Sequence, residues 1–176
     1  APVVLPPDAI AGTPPDKPAK PEDDFTPVPS DLYQEALAAY ERGCYAETEE
    51  KITTLLARTG GHAPALALLS RVRANAGTLP EARELCEKAV VADKMNPGYH
   101  YLLATILQEM GLPEESAASL KRSLYLDQNF ALAHFALGNL ALRQGKSRDA
   151  ERHFENALSV VRTFKRDDIL PESEGV

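Results

Sequence analysis

Acid–base, nucleophilic or metal chemistry in this chain could rest only on four histidines, two cysteines and a few clustered carboxylates. The histidines are His62, His100, His134 and His153. His100 and His134 lie 34 residues apart. Side chains recurring in neighbouring structural units could share a ligand, but a packing position at a helix seam explains the recurrence with less. No His or Cys spacing matches the paired ligands of a zinc site. Cys44 and Cys86 are too few for a disulfide framework, and a bridge between them is not expected. Glu47, Glu49, Glu50, Glu114 and Glu115 fall where helices should start, so the helix dipole and solvent account for them. Gly60-Gly61 has no strand before it and cannot serve as a phosphate loop. The expectation is a chain with no catalytic residue, no cofactor-binding residue, no metal ligand and no cofactor of its own.

The elements that position these residues are set by four glycines. Gly43, Gly77, Gly111 and Gly145 are spaced by 34 residues, the period of tetratricopeptide (TPR) repeats. A glycine can end a helix in the left-handed conformation without a Cβ clash. Seven residues before them lie Ala36, Ser70, Ala104 and Gly138, and five after lie Thr48, Ala82, Ser116 and Ala150, all small. Nine after come Ile52, Cys86, Leu120 and Phe154, and thirteen after come Leu56, Val90, Leu124 and Leu158, all apolar. Small residues let two helices of a hairpin approach, and the larger ones fill the gap to the next hairpin.

This register predicts an all-α, right-handed solenoid of four helix hairpins, with repeats at about 29–62, 63–96, 97–130 and 131–162. The helices are expected at 31–42, 45–59, 62–76, 79–92, 97–110, 113–126, 130–144 and 147–162. Ser30 is the expected cap of the first and Asn96 of the fifth. Pro64, Pro80, Pro97 and Pro113 fall in first turns, where a missing N–H costs little. Residues 1–30 hold nine of the fourteen prolines and five acidic residues, and read as an extended linker. Residues 163–176 read as a C-terminal tail.

The net charge of −7 argues against a general nucleic-acid binder. No apolar run approaches the roughly 20 residues that span a bilayer. The N-terminal stretch has neither the basic flank nor the apolar core of a signal peptide, and no initiator Met, so a cytoplasmic fragment of a longer chain is expected.

A stack of hairpins lines a concave groove with the first helix of each pair. The offsets place Arg71, Asn75, Thr105, Gln108, Asn139 and Arg143 there, with Tyr33 and Tyr40 as aromatic contacts. Tyr101 and Phe135 also fall on this face, or pack between adjacent helices. Such a mixed surface suits an extended peptide or a helix, so the expected partner is a protein. The two-repeat clamp with which some TPR domains hold a C-terminal carboxylate is absent: Tyr33, Leu37, Gly98 and Leu102 stand at its positions. The segment from Lys121 to Arg166 is locally basic and could steer an acidic partner. Leu158, Val160, Val161 and Phe164 close the last helix with no further hairpin to cover them, so the tail, a second copy of the chain or the partner is the expected cover.

The runs HYLLATILQEMG (100–111), SLYLDQNFALAHFALGNLALRQGK (123–146) and RHFENALSVV (152–161), with ILPESEG at 169–175, resemble TPR regions fused behind CheR-type chemoreceptor methyltransferases. The resemblance spans roughly residues 62–175. It implies a parent enzyme that transfers a methyl group from S-adenosylmethionine to receptor glutamates, with this chain as its regulatory or docking domain. The partner would then be a chemoreceptor or the chain's own methyltransferase domain. None of that catalytic machinery is visible here, and the isolated chain is expected not to bind the cofactor. A stand-alone TPR scaffold with no enzyme in the parent chain is the other reading. Gln128 stands where the family usually has proline, so the boundary between the third and fourth repeats is expected to be soft.

Overall fold

The computed structural model describes residues 29–163, which form eight α-helices and, within those limits, no strand. They are α1 (Pro29–Glu41), α2 (Tyr45–Thr59), α3 (Ala63–Asn75), α4 (Leu79–Ala92), α5 (Pro97–Glu109), α6 (Pro113–Leu126), α7 (Ala131–Arg143) and α8 (Ser147–Val161). The helices pack as consecutive hairpins, α1 with α2 through α7 with α8. Each hairpin then docks on the next through α2–α3, α4–α5 and α6–α7, and the first helices α1, α3 and α5 touch in sequence. Residues 1–28 of the linker expected at 1–30, and 164–176 of the tail expected at 163–176, lie outside the described residues; the last two linker residues belong to α1.

The four register glycines do what the spacing predicts. Gly77 and Gly111, with φ of +79° and +75°, take the left-handed conformation that reverses the chain. The residue after each closes a six-to-one hydrogen bond: Thr78 N–H donates to the Arg73 carbonyl at 3.0 Å and Leu112 N–H to the Leu107 carbonyl at 2.9 Å. The same bond recurs from Cys44 to Ala39 and from Lys146 to Ala141, so one stop signal is used four times.

One boundary moves. Ser30 is not a cap, because α1 already begins at Pro29, and the Ser30 hydroxyl donates sideways to Asp31 at 3.3 Å. Asn96 does cap α5, its Oδ1 accepting from Gly98 N–H at 2.9 Å. His62 caps α3 in the same way, through Nδ1 and Ala65 N–H. The boundary at Gln128 is not soft. Asp127 stops α6 in an extended conformation and its carboxylate accepts from Asn129 N–H at 2.9 Å, doing by a side-chain turn what proline does elsewhere. Asp93, 34 residues earlier, makes the same turn with Met95.

The small positions are buried seams. Ala36, Ser70, Thr48, Ala82 and Ser116 are fully shielded from solvent, and Ala104 and Ala150 nearly so. Two seams are also stitched by hydroxyls, in opposite senses. Ser70 on α3 donates to the Ala82 carbonyl of α4 at 2.7 Å, and Ser116 on α6 donates to the Ala104 carbonyl of α5 at 2.8 Å. A buried hydroxyl without a partner is costly, so pairing each with a carbonyl across the seam keeps the close approach affordable. Ile52, Cys86 and Leu120, nine residues after the glycines, fill the gaps between hairpins and are likewise shut off from solvent.

Gly138 is the seam residue of the last hairpin, and there the fit is closest. A Cβ at this position would sit 2.5 Å from the Phe154 ring of α8. With Phe154 present, Gly138→Ala is expected to lower the urea midpoint. In a Phe154→Ala background the same change is expected to raise stability by about 1 kcal/mol, the helix-interior advantage of alanine over glycine. The same sign in both backgrounds would show that the ring swings aside at no cost.

Candidate functional site

The faces of α1, α3 and α5 that point away from the second helices form a cleft of about 500 Å³. Its polar rim carries Tyr40, Arg71, Asn75, Thr105 and Glu109, and its floor is Ala74, Leu102 and Ile106. Asn75 Nδ2 donates to the Tyr40 hydroxyl at 3.3 Å, which ties the rims of the first and second hairpins together. Tyr101 also borders the cleft, with its ring 5.4 Å from that of Phe130. It is therefore both a packing residue and a groove residue. Arg71 and Glu109 place one positive and one negative group along an otherwise neutral, aromatic-flanked channel. Paired opposite charges of this kind fix the direction of a bound peptide more than they add affinity.

Of the residues expected from the sequence, the structure brings Tyr40, Arg71, Asn75 and Thr105 into this one cleft. Tyr33 is instead half-buried, packed against the first core cluster and 5.4 Å from the His62 ring. Gln108, Asn139 and Arg143 are not among the lining residues. Glu109 lines the cleft at the position equivalent to Asn75, two before the glycine, whereas Gln108, equivalent to Ala74, does not. A second hollow, of about 550 Å³, lies between the α2–α3 loop and α4 and is lined largely by second-helix side chains such as Glu84, Lys88 and Val91.

The clustered carboxylates do more than face solvent. Arg73 pairs with Glu49 and, at 3.3 Å, with Glu81, linking the first and second hairpins. Arg83 reaches Glu87 at 2.8 Å and Glu115 at 3.0 Å, linking the second and third. Each such exposed pair is worth little alone, on the order of 0–1 kcal/mol, but together they fix the rotation between hairpins. Sequence spacing could not show this, since the partners are 24 and 32 residues apart.

Both cysteines are free thiols. Cys86 is sealed between hairpins, with its Sγ 3.5 Å from the Tyr99 carbonyl, and burial pushes its pKa up to about 12. It is a packing residue and not a nucleophile. Burial also lowers the pKa of His100, and its carbonyl accepts from Ser119 at 2.9 Å, which fits the seam position read from the sequence. His134 is different: its Nδ1 stands 3.2 Å from Nδ1 of His153 on the facing helix. Among the described residues, no group of three or more His, Cys, Asp or Glu could hold a metal ion. No described helix is long and apolar enough to cross a membrane.

The Tetratricopeptide repeat family model matches residues 33–100 and 101–158. A TPR repeat-containing thioredoxin of Arabidopsis thaliana is 32% identical over 77 residues, and the chain spans only 11% of that protein's length. Among solved structures, MamA is similar with a TM-score of 0.71 at 15% identity, over 77% of this chain and 80% of that one. MamA of Desulfovibrio magneticus RS-1 gives 0.68 at 21%, over 80% and 78%. A Thermobaculum terrenum O-GlcNAc transferase gives 0.62 at 26%, over 64% of this chain and 22% of that one. The MamA likeness is one of fold. With 34-residue hairpins, left-handed stop glycines and matches across most of its length, the chain belongs to the tetratricopeptide repeat family.

Proposed function

We propose that this TPR domain binds an extended protein segment in the α1–α3–α5 cleft. The observation that carries the reading is the joining of Tyr40, Arg71, Asn75, Thr105 and Glu109 on one rim over an apolar floor. A cleft lined in this way fits a peptide backbone with alternating side chains better than a small substrate. We further propose that the domain serves as the docking module of a chemoreceptor methyltransferase. That finer reading is supported by the sequence resemblance of residues 62–175, and the family match and structural likenesses fit a stand-alone scaffold equally well.

The test is selection of a displayed peptide library on the full chain, followed by titration of the enriched peptides. Arg71→Ala with Asn75→Ala is expected to weaken them at least about tenfold, a loss of about 1.4 kcal/mol, with little change in thermal midpoint. Peptides that bind the double variant as tightly as the parent would rule out the cleft. Titration with a purified receptor-methyltransferase catalytic domain, and with a receptor cytoplasmic fragment, addresses the parent. Binding to either, lost in the double variant, supports the docking reading. Binding to neither favours the scaffold.

A further inference from the structure

We infer that His134 and His153 form a two-histidine site for a borderline divalent metal ion such as Zn²⁺, clipping α7 to α8. The two Nδ1 atoms are 3.2 Å apart across the last hairpin, and the rings are tilted by 40°. Two imidazole nitrogens at the usual 2.0–2.1 Å from a tetrahedral Zn²⁺ are about 3.3 Å apart. The helices therefore already hold the pair at the separation the metal requires.

The proton positions agree. Nε2 of His134 lies 3.2 Å from the Gln128 carbonyl, which can only accept a hydrogen bond. Nε2 of His134 therefore carries the hydrogen, and its Nδ1 presents a lone pair to His153. Histidine ligands are commonly oriented this way, with the far N–H given to a carbonyl that fixes the tautomer. Without metal, His153 donates its Nδ1 proton to His134. On binding, that proton moves through solvent from Nδ1 to Nε2 of His153, which stays neutral, and the metal takes the lone pairs of both Nδ1 atoms.

His134, unlike His153, also borders a cleft of about 380 Å³ lined by Gln128, Asn129, Asn156 and Ser159. With only two protein ligands the site is reversible, not structural. Lys121 and Arg152 near His153 weaken it, and Asp149 offsets them in part. The pairing was hidden in the sequence because 19 residues and a turn separate the two histidines.

The experiment uses the full chain at neutral pH, titrated with Zn²⁺ and, as a hard-cation control, Mg²⁺. Zn²⁺ is expected to raise the thermal midpoint and to shift the imidazole carbon-bound protons of two of the four histidines. Mg²⁺ is expected to do neither. His153→Gln and His134→Gln should each lose at least about tenfold in Zn²⁺ affinity, and His62→Gln should keep it. Circular dichroism of each variant identifies any that fails to fold, and His153→Gln decides alone if His134→Gln does. No saturable Zn²⁺ response in the parent, or one that survives intact in folded His153→Gln, overturns the site.

Discussion

Leu120→Ala is expected to destabilise the domain by about 2–5 kcal/mol, whereas Leu158→Ala costs under about 1 kcal/mol. Leu120 on α6 is 1% exposed and lies in one cluster with Ala104, Phe130, Ala133, Leu137 and Leu140. It therefore touches its own hairpin on one side and α7 of the next hairpin on the other. Truncation leaves a cavity at a junction that neither hairpin can close without shifting, so the loss combines the transfer of the side chain with the cavity it leaves. Leu158 on α8 has no hairpin beyond it among the described residues and is 49% exposed. Half of its transfer free energy has not been gained, so half cannot be lost. Urea unfolding of the two variants checks the contrast. Because a solenoid's stability is roughly a sum of repeat and interface terms, Leu120→Ala should also broaden the transition as the fourth hairpin uncouples. Equal losses for both variants would mean that the last hairpin is covered as fully as the third.

The gradient from Leu120 to Leu158 marks how far the sequence could be read. The helices were legible because most boundaries are local: a left-handed glycine, or a proline in a first turn, acts within five residues. The buried seams were legible because small residues recur at fixed offsets. Ser70 and Ser116 read there merely as small, and their hydroxyl bonds across the seam depend on a helix separation that no offset encodes. The groove was legible in part. Tyr40, Arg71, Asn75 and Thr105 came together as the 34-residue register implies, but Tyr33 turned inward because α1, the first described helix, packs its aromatic on His62. Asp127 was missed because a side-chain turn leaves no mark as conspicuous as proline. The Arg73–Glu49 and Arg83–Glu115 ion pairs and the His134–His153 contact were beyond reach for one reason: each joins different helices, and their pairing is set by the superhelical rotation of one element on another.

Ala104→Leu is expected to cost up to about 3 kcal/mol, the upper range for overpacking, and to abolish peptide binding in the cleft. Ala104 is 1% exposed at the α5–α6 seam, and its carbonyl accepts the Ser116 hydroxyl at 2.8 Å. A leucine there has no empty volume to occupy, so α5 must move away from α6. That movement stretches the Ser116 bond and leaves a buried hydroxyl without its partner, which adds a desolvation cost to the steric one. It also displaces Thr105 and Glu109, which α5 contributes to the cleft, relative to Tyr40, Arg71 and Asn75 on α1 and α3. The matched control is Ala118→Leu on the exposed face of α6, expected to stay within about 0.5 kcal/mol of the parent. Thermal and urea unfolding measure the first effect, and titration with peptides selected on the parent measures the second. An Ala104→Leu variant as stable as the Ala118→Leu control would show that the hairpin seam has slack. The small residues at its two register positions would then need another explanation.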